Sequence, residues 1–169
     1  MVMTLMGPDR PGLVEKVAAT VAEHGGSWIE SRMSHLAGQF AGICRATVPE
    51  DKAPALRAAL EQLAGQDLRL LLATDPQVEP KSEGRLAQLE LIGHDRVGIV
   101  QQICGVLASH GVNVEELNTG CESAPMTGER LFRATATLRF GPAVSMDAVR
   151  DELETLGEEW MVELSMQEA

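Results

Sequence analysis

Aromatic residues are scarce in this chain: three Phe, two Trp and no Tyr in 169 residues. Proteins that grip single-stranded nucleic acid stack bases on aromatic side chains, so the shortage argues against that class. Basic residues are also short, 14 against 25 acidic, for a net charge of −11. Such a field repels phosphate backbones, and no Lys/Arg cluster offsets it locally. No direct nucleic-acid partner is expected. The three cysteines, Cys44, Cys104 and Cys121, form no CxxC pair. They read as reduced thiols, mostly packed in the interior, without a redox or metal role. No signal peptide and no long apolar span precedes the fold, so a cytoplasmic protein with no membrane partner is expected. No Ser-His-Asp set, metal-ligand spacing or P-loop is present. No catalytic residue, metal or cofactor is therefore expected.

What the chain does have is a stretch that occurs twice. Gly7-Pro8-Asp9-Arg10-Pro11-Gly12-Leu13-Val14 returns as Gly93-His94-Asp95-Arg96-Val97-Gly98-Ile99-Val100, 86 positions later. Each copy follows an apolar run and opens a helical pattern. Helix-start N–H groups, at the positive end of the helix dipole, attract carboxylates and phosphates. Two matched copies suggest one fold built twice, with two candidate anion sites.

The order of elements repeats as well. Met1 to Met6 reads as a central strand. Leu13, Val17 and Val21 give the following helix an apolar face, and His24-Gly25-Gly26 end it. Ser27 to Leu36 is a second strand with untidy alternation, closed by the turn Ala37-Gly38. Phe40, Gly42, Cys44, Ala46 and Val48 share one face of a third strand. Leu56, Leu60 and Leu63 mark a second helix, and Leu68 to Ala73 a fourth strand.

Asp75 to Arg85, with Pro76, Pro80 and Gly84 among charged residues, reads as a linker between halves 1–74 and 86–169. In the second half Leu86 to Ile92 is a strand, and Ile99, Ile103 and Leu107 repeat the first helix. Val112 to Cys121 is the next strand, and Glu122 to Glu129 a longer turn. Phe132, Ala134, Ala136, Leu138 and Phe140 form a core face, with Arg133, Thr135, Thr137 and Arg139 on the water side. Val149, Leu153 and Leu156 mark the last helix. Trp160, Val162, Leu164 and Met166 are expected on one face of the last strand. The fold class is thus α+β: two ferredoxin-like β-α-β-β-α-β units, each an antiparallel sheet with helices on one face.

Bland readings stand beside the functional one. Asp9 and Asp95 are also helix-capping residues, and glycine suits a tight bend. Arg10 and Arg96 are equally placed to pair with acidic surface residues. His24 and His110 sit where a helix C-terminus favours a histidine.

Two such units, each with an apolar strand, an Asp-Arg-x-Gly turn and an apolar helix ending His-Gly, resemble tandem ACT domains. The likeness covers nearly the whole chain and is nearest to the glycine cleavage system transcriptional repressor group. That resemblance implies a non-enzymatic, amino-acid-sensing regulatory protein. It would control transcription by binding a transcription activator protein rather than DNA. The alternative is a trans-acting regulatory subunit of an amino-acid metabolic enzyme. A small enzyme on the ferredoxin-like fold is a third reading, weakened by the absent catalytic set.

The resemblance also implies a ligand site between paired units. It would use Asp9, Arg10, Gly12 and Leu13 with the strand-start Ser27. In the second half it would use Asp95, Arg96, Gly98 and Ile99 with Asn113. An Asn at that strand start is common in the family, and Ser27 departs from it. The implied ligand is a small amino acid, glycine among the candidates, and a homodimer is among the implied assemblies. The chemistry suits the assignment. Helix-start N–H groups serve a carboxylate, Asn113 offers a donor and an acceptor, and Asp9 or Asp95 meets an ammonium.

Overall fold

The computed structural model describes every residue except 66–67, 74–83, 124–129, 161 and 169, and the side chain of Trp160. The chain divides into two compact units, Met1–Glu79 and Pro80–Ala169. The first runs β1 (Val2–Pro8), α1 (Leu13–Glu23), β2 (Ser27–Leu36), β3 (Gln39–Thr47), a 3-10 turn at Glu50–Lys52, α2 (Ala53–Leu63) and β4 (Arg69–Ala73). The second runs β5 (Arg85–His94), α3 (Ile99–Ser109), β6 (Asn113–Ser123), β7 (Arg130–Phe140), α4 (Met146–Trp160) and β8 (Val162–Glu168). The sheets have the orders β2-β3-β1-β4 and β6-β7-β5-β8, with every pairing antiparallel. Both are the β-α-β-β-α-β unit read from the repeat.

Hydrophobic period explains the elements. Met3 and Leu5 alternate inward on β1, while Val17 with Val21 and Leu56 with Leu60 recur at four-residue spacing on α1 and α2. They form one core with Cys44, Ala46 and Leu68. The second core gathers Leu89, Leu91, Ile99, Ile103, Leu107, Val149 and Leu153 against Phe132, Ala134, Ala136, Leu138 and Phe140. All five expected β7 residues are buried.

The untidy alternation of the second strand has a physical cause. Register shifts between Trp28 and Glu30 in β2, and between Val114 and Glu116 in β6. A one-residue bulge flips the alternation at the same place in both copies. β2 and β6 are sheet edges and carry charged side chains there, which discourages pairing with another strand.

Four readings change. Trp160 ends α4 rather than starting a strand, because α4 continues through Gly157. A Cβ on Gly157 would lie 3.0 Å from the Val162 carbonyl oxygen, so this glycine admits the returning chain instead of stopping the helix. β6 extends through Glu122 and Ser123, and the rest of the expected long turn lies outside the described residues. Residues 75–83 of the expected linker also lie outside them, while Arg85 already belongs to β5. Arg139 is not a free water-side residue. Its side chain is only 13% exposed and its Nε lies 2.9 Å from Glu115 Oε1.

Candidate functional site

Each repeated stretch turns a central strand into a helix through a left-handed glycine. Gly12 has φ +90° and Gly98 φ +89°, both with ψ 0°. Only glycine adopts that conformation without strain, so the repeat keeps it for the bend itself. A Cβ on Gly12 would meet nothing within 4 Å, and one on Gly98 only Gln101 Oε1 at 4.0 Å. Among the described residues, the space beside both glycines is open.

Among the described residues, neither helix start has a side-chain cap. Intrahelical bonding begins with the Lys16 and Gln102 amides, each donating at 3.0 Å to the Gly12 or Gly98 carbonyl. The N–H groups ahead of them point out of the helix start, at its positive end. The Ile99 N–H makes only a long 3.4 Å contact with the Arg96 carbonyl oxygen. Ile99 brings nothing else to the loop, since its side chain is 3% exposed in the core. Leu13 is half-buried and packs against the first core.

Asp9 and Asp95 do not cap these helices. Their backbone N–H groups donate to the Gly38 and Arg130 carbonyl oxygens at 3.0 and 3.1 Å, tying each loop to the adjacent hairpin. Their carboxylates face a base from that hairpin: His35 Nε2 is 3.8 Å from Asp9 Oδ2, and Arg130 Nε is 3.9 Å from Asp95 Oδ2. A ligand ammonium would compete with these bases. Arg10 and Arg96 are exposed.

The strand-start residues lie elsewhere. Asn113 pairs in register with Arg139, which pairs with Leu86 at the beginning of β5. The loop leaves from the other end, after His94. Eight steps along a strand separate them by roughly 26 Å. Ser27 pairs with Thr47, and Asp9 follows Pro8, which pairs with Gln39, so the first unit has the same separation. Neither unit alone brings its loop and its strand start together.

Asn113 is also engaged: its Nδ2 donates to Glu115 Oε1 at 2.9 Å, the oxygen that accepts from Arg139. Ser27, Ile29 and Thr47 hold the corresponding places in the first unit. Glu115, Arg139, His35 and Arg130 were not singled out as site neighbours in the sequence. The bulge was the available sign for Glu115, because the residue it adds lies there. Nothing local marks the other three.

A cavity of about 20 Å³ beneath α3 is lined by apolar side chains with Cys104 and Thr119. It has room for about one water and none for an amino acid. Among the described residues no group of three or more His, Cys, Asp or Glu is placed to hold a metal ion. No helix among them is long and apolar enough to cross a membrane.

Comparison with known proteins agrees with this architecture. Residues 1–73 match the ACT domain family model. A search of the curated proteins found no match. The crystal structure of an unknown protein from Galdieria sulphuraria is similar over 99% of this chain and 96% of its own, with 28% identity and a TM-score of 0.86. That of a candidate glycine cleavage system transcriptional repressor is similar over 99% and 95%, with 18% identity and a TM-score of 0.69. The second likeness is one of fold. The first unit matches the ACT domain model and the second repeats its β-α-β-β-α-β order, so the chain has a tandem ACT-like fold.

Proposed function

We propose that this protein is a non-enzymatic regulator that senses a small amino acid and acts on a transcription activator protein rather than on DNA. The carrying observation is the uncapped helix start behind a left-handed glycine, present in both units. It supplies carboxylate-binding N–H groups beside open space. The ACT match of the first unit and the shared fold with a candidate repressor support the regulatory reading. The net charge of −11 favours a protein partner over a phosphate backbone and is compatible with a cytoplasmic setting.

In this reading Asp95, Arg96, Gly98 and Ile99 hold the ligand's carboxylate and ammonium. Asp9, Arg10, Gly12 and Leu13 form a second, weaker loop site. Asn113 and Ser27 join from a second copy of the chain, which would place one molecule's strand start against the other's loop. The proposal therefore includes a homodimer.

A thermal-shift screen against glycine and the other free amino acids tests the ligand, because binding to the folded state raises the melting temperature. Titration calorimetry on Asn113→Ala should then show affinity weakened by roughly 1–3 kcal/mol. Gly98→Val also strains the backbone, so its folded fraction must be measured alongside. No melting shift with any amino acid would sink the sensing role.

A further inference from the structure

The two units differ on the sheet face that carries no helix. In the second unit that face is mostly polar and internally bonded, and its apolar side chains Leu86 and Ile92 are half-buried. Gln88 Nε2 donates to Thr137 Oγ1 at 3.1 Å, and Asn118 Nδ2 to Glu116 Oε1 at 3.0 Å. Such a face is at home in water. In the first unit the same face carries Met6, Ile43 and Leu71, which are 46%, 48% and 73% exposed. Thr4 pairs with both Ile43 and Leu71, and Met6 sits two residues further along β1, so the three form one patch.

Arginines surround that patch. Arg45 pairs with Val2, Arg69 with Met6 and Arg32 with Ile43, so all three belong to this face. Arg32 lies 3.5 Å from Glu30, whereas among the described residues Arg45 and Arg69 form no ion pair. A shallow groove of about 180 Å³ runs between Val2, Ile43, Glu30, Arg32 and Arg45. A chain of net charge −11 thus gathers three arginines around its exposed apolar patch.

We propose that the open face of the first sheet docks a partner protein through an acidic segment with interspersed apolar side chains. The inference rests on the reading that this protein acts through a protein partner, and it gives that partner a surface and a chemistry. Apolar side chains would cover Ile43 and Leu71, and carboxylates would meet Arg32, Arg45 and Arg69. A second copy fits poorly, because an isologous contact sets this basic face against itself. Nucleic acid fits poorly too. The face has no aromatic for a base to stack on, and phosphates would leave the apolar patch uncovered.

Fluorescence anisotropy with a labelled peptide of alternating Glu and Leu tests this, with alternating Lys and Leu as the control. The Glu peptide should bind, more weakly as salt rises, and the Lys peptide should not. Leu71→Asp and Arg69→Glu alter exposed residues and should each weaken binding roughly tenfold or more. Ser165→Arg, on the open face of the second sheet, should leave it unchanged. No binding of the Glu peptide, or equal binding by all variants, overturns the proposal. So does salt-sensitive binding of a labelled DNA duplex to this face, or a sedimenting dimer abolished by Leu71→Asp. Amino-acid melting shifts measured on the same variants keep the two readings apart: shifts retained without peptide binding remove the docking face alone.

Discussion

Cys44 is 2% exposed, and burial pushes its thiol up from 9.0 to about 11. The folded chain therefore holds this proton more tightly than the unfolded chain does. The associated stability is complete below pH 9.0 and is lost as pH rises through about 11. Thermal melts across that window should show a falling midpoint, and Cys44→Ala should fall less steeply. The second unit already places Ala136 in the matching core position, so alanine fits the site. The burial was legible from alternation along β3. The shift required the helices that cover it. At the loops the sequence named Gly12 and Gly98 correctly as bend residues, because left-handed backbone is a local demand. It could not tell that Asp9 and Asp95 turn to His35 and Arg130, since those bases arrive from a hairpin closed by other strands.

At the level of elements, β7 separates pattern from environment. Leu138 is fully buried, so Leu138→Asp places an unpaired carboxylate in the core. The cost should exceed about 4 kcal/mol, enough to unfold the second unit. Arg133 is 52% exposed and pairs with Glu122 at 3.2 Å. Arg133→Asp should therefore cost only about 1 kcal/mol. Arg139→Asp should fall between them, because it removes the shielded partner of Glu115 and sets two carboxylates together. Urea denaturation followed by circular dichroism would rank the three. An Arg139→Asp result equal to that of Arg133→Asp would mean the other contacts of Glu115, Asn113 among them, compensate for the loss. Alternation assigned each of these side chains to a face. It could not distinguish Arg133 from Arg139, because shielding depends on the β6 bulge and on the neighbouring strand.

Across the whole molecule, each unit has its own core, and among the described residues none belongs to both. Fragments 1–79 and 80–169 should therefore each fold and melt cooperatively, as domains of about 80–90 residues can. Circular dichroism melts of the separate fragments check this. A fragment without a cooperative transition would show that its core needs the rest of the chain. The sequence by itself determined the duplication, the order of strands and helices, the core faces and the glycine bends. These follow from side-chain period and backbone conformation, which act over a few neighbouring residues. Tertiary structure alone decided that Asn113 lies at the far end of the sheet from Asp95. It also decided that Glu115 binds both Asn113 and Arg139, and that the first sheet's open face joins apolar side chains to arginines. Those outcomes depend on which strands become neighbours and in what register. That pairing brings together residues tens of positions apart, where local period carries no information.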